Sequence, residues 1–283
     1  MLFSVNKMIY YPVLAVLLSG LWGCNMFKSQ ETQIREVVKK EAVRVDFGLF
    51  KAPSGNLSLV KIGERAAVGV FFIHGAPGDM GAFKKYFTDS LLLEKAQLFA
   101  VDRLGYGQSS DGLSAEKIKN QAEILIQLVE KLQISEVILV GHSYGGPVAV
   151  RMAMDAPDLN IRRVILLAPA LDPDHEKMFW VNRPLSNAWA QKLLPRGLAM
   201  ANREKMVHAA ELQKMLPLWK GLQAPITMIH GTKDALVPYE NVAFIKRHYQ
   251  GEALEVISLN GENHFIPWTK YALVRDTILK YIQ

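Results

Sequence analysis

One serine stands in a setting typical of nucleophilic catalysis. The segment Gly141 to Gly145 (GHSYG) fits the pattern G-x-S-x-G; it directly follows the apolar run Val137 to Val140 and precedes the small-residue run Gly146 to Val150. A serine on a sharp turn between a strand and a helix projects its hydroxyl above the sheet, and the two glycines permit the strained backbone. We therefore predict that Ser143 is the nucleophile of an acyl-transfer reaction.

A serine hydroxyl needs a base to take its proton and an acid to orient that base. Of the seven histidines, His264 alone has a loop position just after the last predicted strand and downstream of an acid. Asp234, in the loop after another apolar run, is the predicted acid, and the order Ser143, Asp234, His264 is that of such triads on α/β sheets. Asp172 and Asp174 are the reserve acids.

Acyl transfer also needs two N–H donors for the oxyanion that develops on the substrate. The backbone amide of Tyr144, the residue after the nucleophile, is the first predicted donor. The segment His74 to Gly78 (HGAPG) follows the apolar run Val68 to Ile73, and its glycines and proline favour an unusual loop conformation. We predict that the Ala76 amide is the second donor.

The elements that must position these residues alternate along the chain. Short β-branched runs without polar alternation are typical of buried parallel strands. The predicted strands are 42–50 and 57–62, which flank a turn, followed by 68–73, 98–101, 137–140, 164–167, 226–229 and 254–259. The predicted helices are 114–132, 146–154, 239–248 and 269–282. This alternation predicts a doubly wound, mostly parallel α/β sheet.

One interval breaks this rhythm. About 55 residues with only helix-like and loop-like sequence separate the strands that end near Leu167 and begin at Ile226, which is long for a connection. We predict an inserted helical cap over about residues 172–220, called the cap below.

Together with the segment Asp102 to Ser109 (DRLGYGQS), these motifs resemble the α/β-hydrolases over roughly Val43 to Ile282. The resemblance implies an esterase- or lipase-like serine hydrolase that cleaves carboxylic esters through an acyl-enzyme. It also implies a structural role for Asp102 and no metal or organic cofactor. A serine at position 143 is unlike the aspartate nucleophile of haloalkane dehalogenases and epoxide hydrolases.

Two other functions are compatible with the sequence. The segment His74 to Gly78 also resembles proline iminopeptidases, so an amide or N-terminal peptide is an alternative substrate. Such enzymes need an anionic clamp for the substrate amine, whereas residues 176–220 hold eight Lys/Arg and three Glu. A non-catalytic binding protein on the same scaffold is the second alternative. The scaffold hosts many chemistries, so it does not name the substrate.

The cap is rich in large apolar side chains, which would either line an acyl-binding pocket or hold the cap helices against the core. These are Met178, Phe179, Trp180, Trp189, Leu193, Leu194, Met200, Met206, Met215, Leu218 and Trp219. Its basic residues would form either a solvated face or a surface for anionic headgroups.

The N-terminus has the layout of an export signal, with Lys7 as the only charge before an apolar core and small residues. Cys24, the only cysteine, follows Gly23 in a setting that resembles the bacterial lipobox, although Trp22 departs from the pattern. We predict a signal peptide over residues 1–23, lipidation at Cys24 and a tether with a short helix over 24–41. The hydrolase domain then spans 42–283.

Lipidation predicts a location in the bacterial cell envelope, with the outer membrane favoured over the inner one by Asn25, facing the periplasm or the surface. An uncleaved anchor and simple secretion are the alternatives. The 283 residues have a net charge of +6 without a clustered basic stripe or a recognisable nucleic-acid module, so we expect no nucleic-acid partner. We expect a small-molecule ester or amide substrate and contact with a membrane, and the sequence does not indicate an oligomeric state.

Overall fold

The computed structural model describes residues 29–112, 114–251 and 253–282. The predicted signal peptide and the predicted lipidation site at Cys24 lie outside the described residues. Within those ranges, no helix combines the length and the apolar character needed to cross a bilayer.

The described residues form one eight-stranded sheet. Its strands are β1 Val45–Ala52, β2 Gly55–Ile62, β3 Val68–Ile73, β4 Gln97–Val101, β5 Glu136–His142, β6 Ile161–Leu167, β7 Ile226–Gly231 and β8 Leu254–Leu259. Their spatial order is β1-β2-β4-β3-β5-β6-β7-β8. The hairpin of β1 and β2 and the pair β2–β4 are antiparallel, and the other pairs are parallel. The predicted doubly wound, mostly parallel sheet is confirmed.

Helices connect the strands and cover both faces of the sheet. The α-helices are α1 Gln30–Lys40, α2 Ser90–Leu93, α3 Ile118–Leu132, α4 Gly145–Asp155, α5 Asn182–Leu185, α6 Ala188–Leu193, α7 Arg196–Met215, α8 Glu240–His248, α9 Ile266–Thr269 and α10 Tyr271–Ile282. Short 3₁₀ turns occur at Met80–Phe83, Tyr86–Thr88 and Leu216–Gly221. Helices α5, α6 and α7 lie between β6 and β7, in the segment predicted as the cap.

The central strands are buried on both faces, as their near-continuous apolar sequences predict. Every residue of β3 and of β7 is buried. Because side chains alternate along a strand, Phe71 and Ile73 pack into one hydrophobic cluster, while Val70 and Phe72 pack into the cluster on the other face. The sheet is therefore held between two apolar layers, which fixes the positions of its strand ends.

Helix α1 packs against the body of the protein. The Ser29 hydroxyl accepts the amide of Thr32 and caps the helix. Ile34 and Val38, one helical turn apart, are fully buried in the same cluster as Val70 and Phe72. The short helix that the sequence predicts in this region is thus a docked part of the fold.

Candidate active site

Ser143 lies on the sharp turn between β5 and α4, where the sequence predicts the nucleophile. Its backbone has a positive φ of 53°. This value is unfavourable for a residue with a side chain, and such strain persists only where the surroundings hold it. The Ser143 amide donates to the carbonyl of Leu167 at 3.0 Å, and its carbonyl accepts the amide of Gly146 at 2.9 Å. These bonds anchor the turn and leave the side chain only partly buried.

The glycines of the G-x-S-x-G pattern are required by close backbone packing. A Cβ on Gly145 would lie 2.2 Å from the carbonyl oxygen of Ile73, and a Cβ on Gly141 would lie 2.4 Å from that of Gly145. A side chain at Gly145 would push the start of α4 away from β3, and one at Gly141 would push β5 away from the start of α4. The glycines therefore permit the tight turn that presents Ser143.

His264 and Asp234 form a hydrogen-bonded pair. The Nδ1 atom of His264, in the loop after β8, lies 2.7 Å from Oδ2 of Asp234, in the loop after β7. The Asp234 side chain is fully buried, and its Oδ1 accepts the amides of Leu236 at 2.9 Å and Val237 at 2.8 Å. The carboxylate is thus fixed from one side by backbone amides and presents its other oxygen to the imidazole.

The electrostatics of the pair favour an ionised Asp234. Burial acts to raise the pKa of Asp234, but the hydrogen bond and charge of His264, together with the Val237 amide, outweigh it. The net pKa lies below the ordinary value for an aspartate. An ionised carboxylate accepts the Nδ1–H proton of His264, so Nε2 of the imidazole is free to take a proton.

Ala76 and Tyr144, the two predicted oxyanion donors, are both close to Ser143 along the chain or across the sheet, since Tyr144 directly follows Ser143. Ala76 follows β3, which is the neighbour of β5 in the sheet. A Cβ on Gly75 would lie 2.9 Å from Cβ of Ser143, so the loop that carries Ala76 packs directly against the nucleophile. In the part of the chain that the structure describes, neither amide N–H has a hydrogen-bond acceptor. Both remain available for an external oxygen atom.

The structure thus brings the predicted site residues to one edge of the sheet. Ser143, Asp234, His264 and Ala76 all follow the carboxyl ends of parallel strands. Among the described residues, no hydrogen bond joins the Ser143 hydroxyl to His264, although the His142 and His264 rings are only 4.8 Å apart. Hydrogen bonds between a nucleophile and its base are often long before substrate binds.

The reserve acids are placed elsewhere. Oδ2 of Asp172 pairs with Nδ1 of His175 at 2.8 Å, and no bond joins Asp172 or Asp174 to His264 in the described chain. Asp102 is buried at the end of β4, where Oδ1 accepts the amide of Met80 and Oδ2 that of Gln108, each at 2.9 Å. Burial raises the pKa of Asp102 to about 6. These contacts agree with the structural role that the resemblance implies for it.

Two buried histidines beside the pair were not predicted as site residues. Nε2–H of His142 donates to the carbonyl of His264 at 3.1 Å, and burial lowers the pKa of His142 to about 3, so this ring is neutral. His230, whose pKa burial also lowers, places Nε2 3.5 Å from Oδ2 of Asp234 and bonds the carbonyl of Val237 at 3.1 Å. The one available signal was their place directly beside the turns of the site.

Within the described ranges, no group of three or more His, Cys, Asp or Glu side chains is arranged to hold a metal ion.

The large apolar residues of the cap divide into two sets. Met200, Met215 and Trp219 are buried in the same cluster as Phe71, so they hold the cap against the core. Trp180, Trp189 and Leu193 are 73%, 78% and 86% exposed. The second set forms an apolar outer surface of the cap and contributes little to its packing.

Comparison with known proteins identifies the fold. A family model described as the alpha/beta hydrolase fold matches residues 70–189. Strands β1, β2, β7 and β8 lie outside the matched residues and belong to the same sheet. The chain has the α/β-hydrolase fold.

Its relatives include hydrolases. The uncharacterized hydrolase YugF of Bacillus subtilis is 23% identical, with 75% of this chain and 88% of that protein covered. The human serine hydrolase BPHL is 27% identical, with 64% of this chain and 69% of that protein covered. An esterase structure from Exiguobacterium antarcticum superposes with a TM-score of 0.66 at 18% identity, and the match covers 83% of this chain and 98% of that chain. These similarities support a hydrolase of this fold.

Proposed function

We propose that the protein hydrolyses carboxylic esters through an acyl-enzyme intermediate. Ser143 attacks the ester carbonyl while His264 takes its proton, and Asp234 holds the imidazole and stabilises its cation. His264 then protonates the leaving alcohol, and water attacks the acyl-enzyme by the same route in reverse. The observation that carries the proposal is the buried 2.7 Å bond between His264 and Asp234, beside a serine with a positive φ.

The amides of Ala76 and Tyr144 stabilise the tetrahedral oxyanion in this proposal. Two donors fixed before the reaction need no reorganisation when negative charge develops on the carbonyl oxygen. Each contributes about 3 kcal/mol to the transition state in enzymes of this type. The partial exposure of Ser143 leaves room for a carbonyl carbon to approach its hydroxyl.

The charges of the cap favour an ester over a substrate with a free amine. An aminopeptidase would need a carboxylate that is free to bind the substrate amine. Each glutamate of the cap is instead paired with a basic side chain of this protein. Glu176 pairs with Lys205 and His208, Glu204 with Arg103, and Glu211 with Lys214. The cap therefore offers no spare glutamate as an anionic clamp.

The first test measures hydrolysis of p-nitrophenyl esters from acetate to palmitate by the wild type and by Ser143→Ala. We expect activity in the wild type and its loss in the variant, with the chain-length optimum reporting the depth of the acyl site. Ser186→Ala, which removes an exposed hydroxyl of the cap, is the matched control and should keep full activity.

A folded wild type that cleaves none of these esters would contradict the proposal. Covalent labelling by a fluorophosphonate would then separate two cases. A wild type that is labelled, with an unlabelled Ser143→Ala variant, would indicate a hydrolase with another substrate. The absence of labelling in both would indicate the binding protein.

We further propose that Cys24 carries the lipid of an envelope lipoprotein. Gln30, where α1 begins, is six positions after Cys24, and six residues span at most about 20 Å. A lipid at Cys24 would thus keep the domain against the membrane. The exposed aromatic residues of the cap, and its stretch from 177 to 203 with five Lys/Arg and no Asp/Glu, suit an anionic lipid surface.

Metabolic labelling of cells with a palmitate analogue tests the lipid anchor. The wild type should take up the label and sediment with membranes, and Cys24→Ser should do neither. A Cys24→Ser variant that still sediments with membranes in the same amount would contradict anchoring through this residue.

A further inference from the structure

We propose that Arg103 and Glu204 form a buried bridge from the cap to the oxyanion hole, and that this bridge sets the orientation of the Ala76 amide. Both are positioning residues, because they act on the Ala76 donor and do not touch the reacting atoms. The inference rests on the proposed serine hydrolase function and adds a residue of the cap to its machinery.

The Arg103 side chain is fully buried. It donates hydrogen bonds to the backbone of the loop 74–78, which carries Ala76 and is called the oxyanion loop. Its Nε donates to the carbonyl of His74 at 2.9 Å, and its Nη2 donates to the carbonyl of Gly75 at 3.0 Å. The amide of Arg103 also donates to Nε2 of His74 at 3.0 Å, so Nδ1 carries the proton and donates to Gly75 at 2.7 Å. The carbonyl of Gly75 therefore receives two hydrogen bonds.

The carbonyl of Gly75 and the amide of Ala76 belong to one peptide group. This peptide is trans, since the only cis bond of the described chain is Ala76–Pro77. In a planar trans peptide the C=O and N–H bonds point in opposite directions. The hydrogen bond from Arg103 holds the Gly75 oxygen on the side of the guanidinium, so the Ala76 N–H points to the opposite side. A rotated peptide would place a carbonyl oxygen where the oxyanion needs a donor.

Glu204 supplies the counter-charge from helix α7 of the cap. Its Oε1 and Oε2 accept Nη1 and Nη2 of Arg103 at 2.5 and 3.2 Å, and Oε2 also accepts the Tyr106 hydroxyl at 2.5 Å. Neither side chain of the ion pair is exposed. This two-pronged contact spans 101 residues of sequence and fixes the plane of the guanidinium.

Stability alone does not account for such a pair. Taking two charges out of water costs several kcal/mol per ion, and apolar side chains of the same volume are often as stable or more so. A charged guanidinium has a specific effect here, because its hydrogen bonds polarise the Gly75–Ala76 peptide and strengthen the amide as a donor. The guanidinium also lies 4.6 Å from the ring centroid of Tyr144, whose amide is the other donor.

The test compares full-length wild type with Arg103→Lys, Glu204→Gln and Asp111→Asn. Arg103→Lys keeps the positive charge but cannot bond Gly75 and Glu204 together in one plane. Glu204→Gln keeps the shape but removes the counter-charge. Asp111→Asn is the matched control, because it removes the charge from an exposed ion pair with Arg196 at the start of the same cap helix and does not touch the oxyanion loop.

We expect kcat for a p-nitrophenyl ester to fall about 100-fold in Arg103→Lys and about 10-fold in Glu204→Gln, with KM changed less than threefold, since a misdirected oxyanion donor weakens the transition state and not substrate binding. The affinity for an aryl trifluoromethyl ketone, which forms a tetrahedral oxyanion adduct with the serine, should fall by the same factors. Asp111→Asn should match the wild type in both measurements.

Thermal unfolding is recorded for every variant. Should Arg103→Lys fail to fold, Tyr106→Phe, which removes one hydrogen bond from Glu204, should still lower kcat and ketone affinity together. Folded bridge variants that keep kcat and ketone affinity within threefold of the wild type would overturn the inference. A change in KM equal to that in kcat would also overturn it.

The failure of this inference and that of the proposed function have different signatures. Hydrolysis that depends on Ser143 but not on Arg103 or Glu204 would overturn the bridge alone. Both would be overturned if the wild type hydrolysed no ester, or if its hydrolysis did not depend on Ser143.

Discussion

Replacing Asp234 by asparagine tests the triad most sharply, because the structure dictates how the new side chain would lie. Oδ1 of Asp234 accepts two backbone amides, from Leu236 and Val237. An asparagine must keep its oxygen toward those two donors, so its NH2 group would face Nδ1 of His264. That nitrogen would then have to accept a hydrogen bond, which moves the imidazole proton to Nε2.

The expected loss follows from this change of tautomer. The missing charge-assisted hydrogen bond is worth about 1.5–3 kcal/mol, or about 10- to 150-fold in rate. A proton on Nε2 also prevents His264 from taking the Ser143 proton, and substitutions of this kind lower kcat about 10⁴-fold, or about 5 kcal/mol. The size of the loss therefore separates a lost orienting contact from a wrong tautomer.

The assay is the steady-state hydrolysis of a p-nitrophenyl ester at pH 7–8, where the lowered pKa of Asp234 keeps the wild-type carboxylate ionised. We expect Asp234→Asn to lower kcat about 10⁴-fold with little change in KM. Asp172→Asn is the control and should keep its activity, because Asp172 bonds His175 and not His264. An Asp234→Asn variant within 10-fold of wild-type kcat, or an equal loss in Asp172→Asn, would refute the assignment of the acid.

Three further predictions concern stability and are measured by urea unfolding. Gly145→Ala should lower the free energy of unfolding by about 1–3 kcal/mol, because its Cβ would lie 2.2 Å from a carbonyl oxygen of β3. Gly197→Ala in α7 should raise the free energy of unfolding by about 0.5–1 kcal/mol, because its Cβ would meet no atom closer than 3.6 Å. Equal effects at both glycines would be incompatible with the packing described here. Burial acts to raise the pKa of Glu176, but the hydrogen bonds and charges of His208 and Lys205 outweigh it and hold this pKa at about 2, below its usual 4.5. The ionised Glu176 therefore contributes about 3 kcal/mol to the free energy of unfolding above pH 4.5, and this contribution is lost as the pH falls toward 2. Glu176→Gln should remove that pH dependence, and an unchanged acid limb would contradict it. Ile34→Ala should cost about 2–4 kcal/mol because α1 buries this side chain completely; a loss below 0.5 kcal/mol would mean that α1 is not docked.

The local features of the site could be predicted from the sequence, since each is encoded by neighbouring residues. The apolar run, the glycines and the serine of the β5–α4 turn stand together in the chain, and their geometry requires that order. Boundaries are less well encoded. The helix predicted from Ser114 begins at Ile118, because the preceding residues form turns that include Ser114 with a φ of 51°.

Features that depend on distant parts of the chain could not be predicted. Nothing near Glu204 separates it from the other glutamates of the cap, and its partner Arg103 lies 101 positions earlier. The same limit applies to Trp189 and Leu193, whose spacing of four residues on α6 is typical of a buried face. Their exposure depends on where α6 lies relative to the body, which the sequence of α6 does not encode.

The contact between Arg103 and Glu204 limits how the cap can be exchanged between related enzymes. The cap enters and leaves the body between two adjacent strands, β6 and β7. Recombination at these two points would leave all five candidate site residues in place, namely Ser143, Asp234, His264 and the two donors Ala76 and Tyr144. A chimera built in this way would still inherit a fully buried arginine from the body. A donor cap without a carboxylate opposite it would leave that charge uncompensated, at a cost of about 3–5 kcal/mol. Libraries of exchanged caps should therefore be filtered for this one carboxylate before any screen for new substrates.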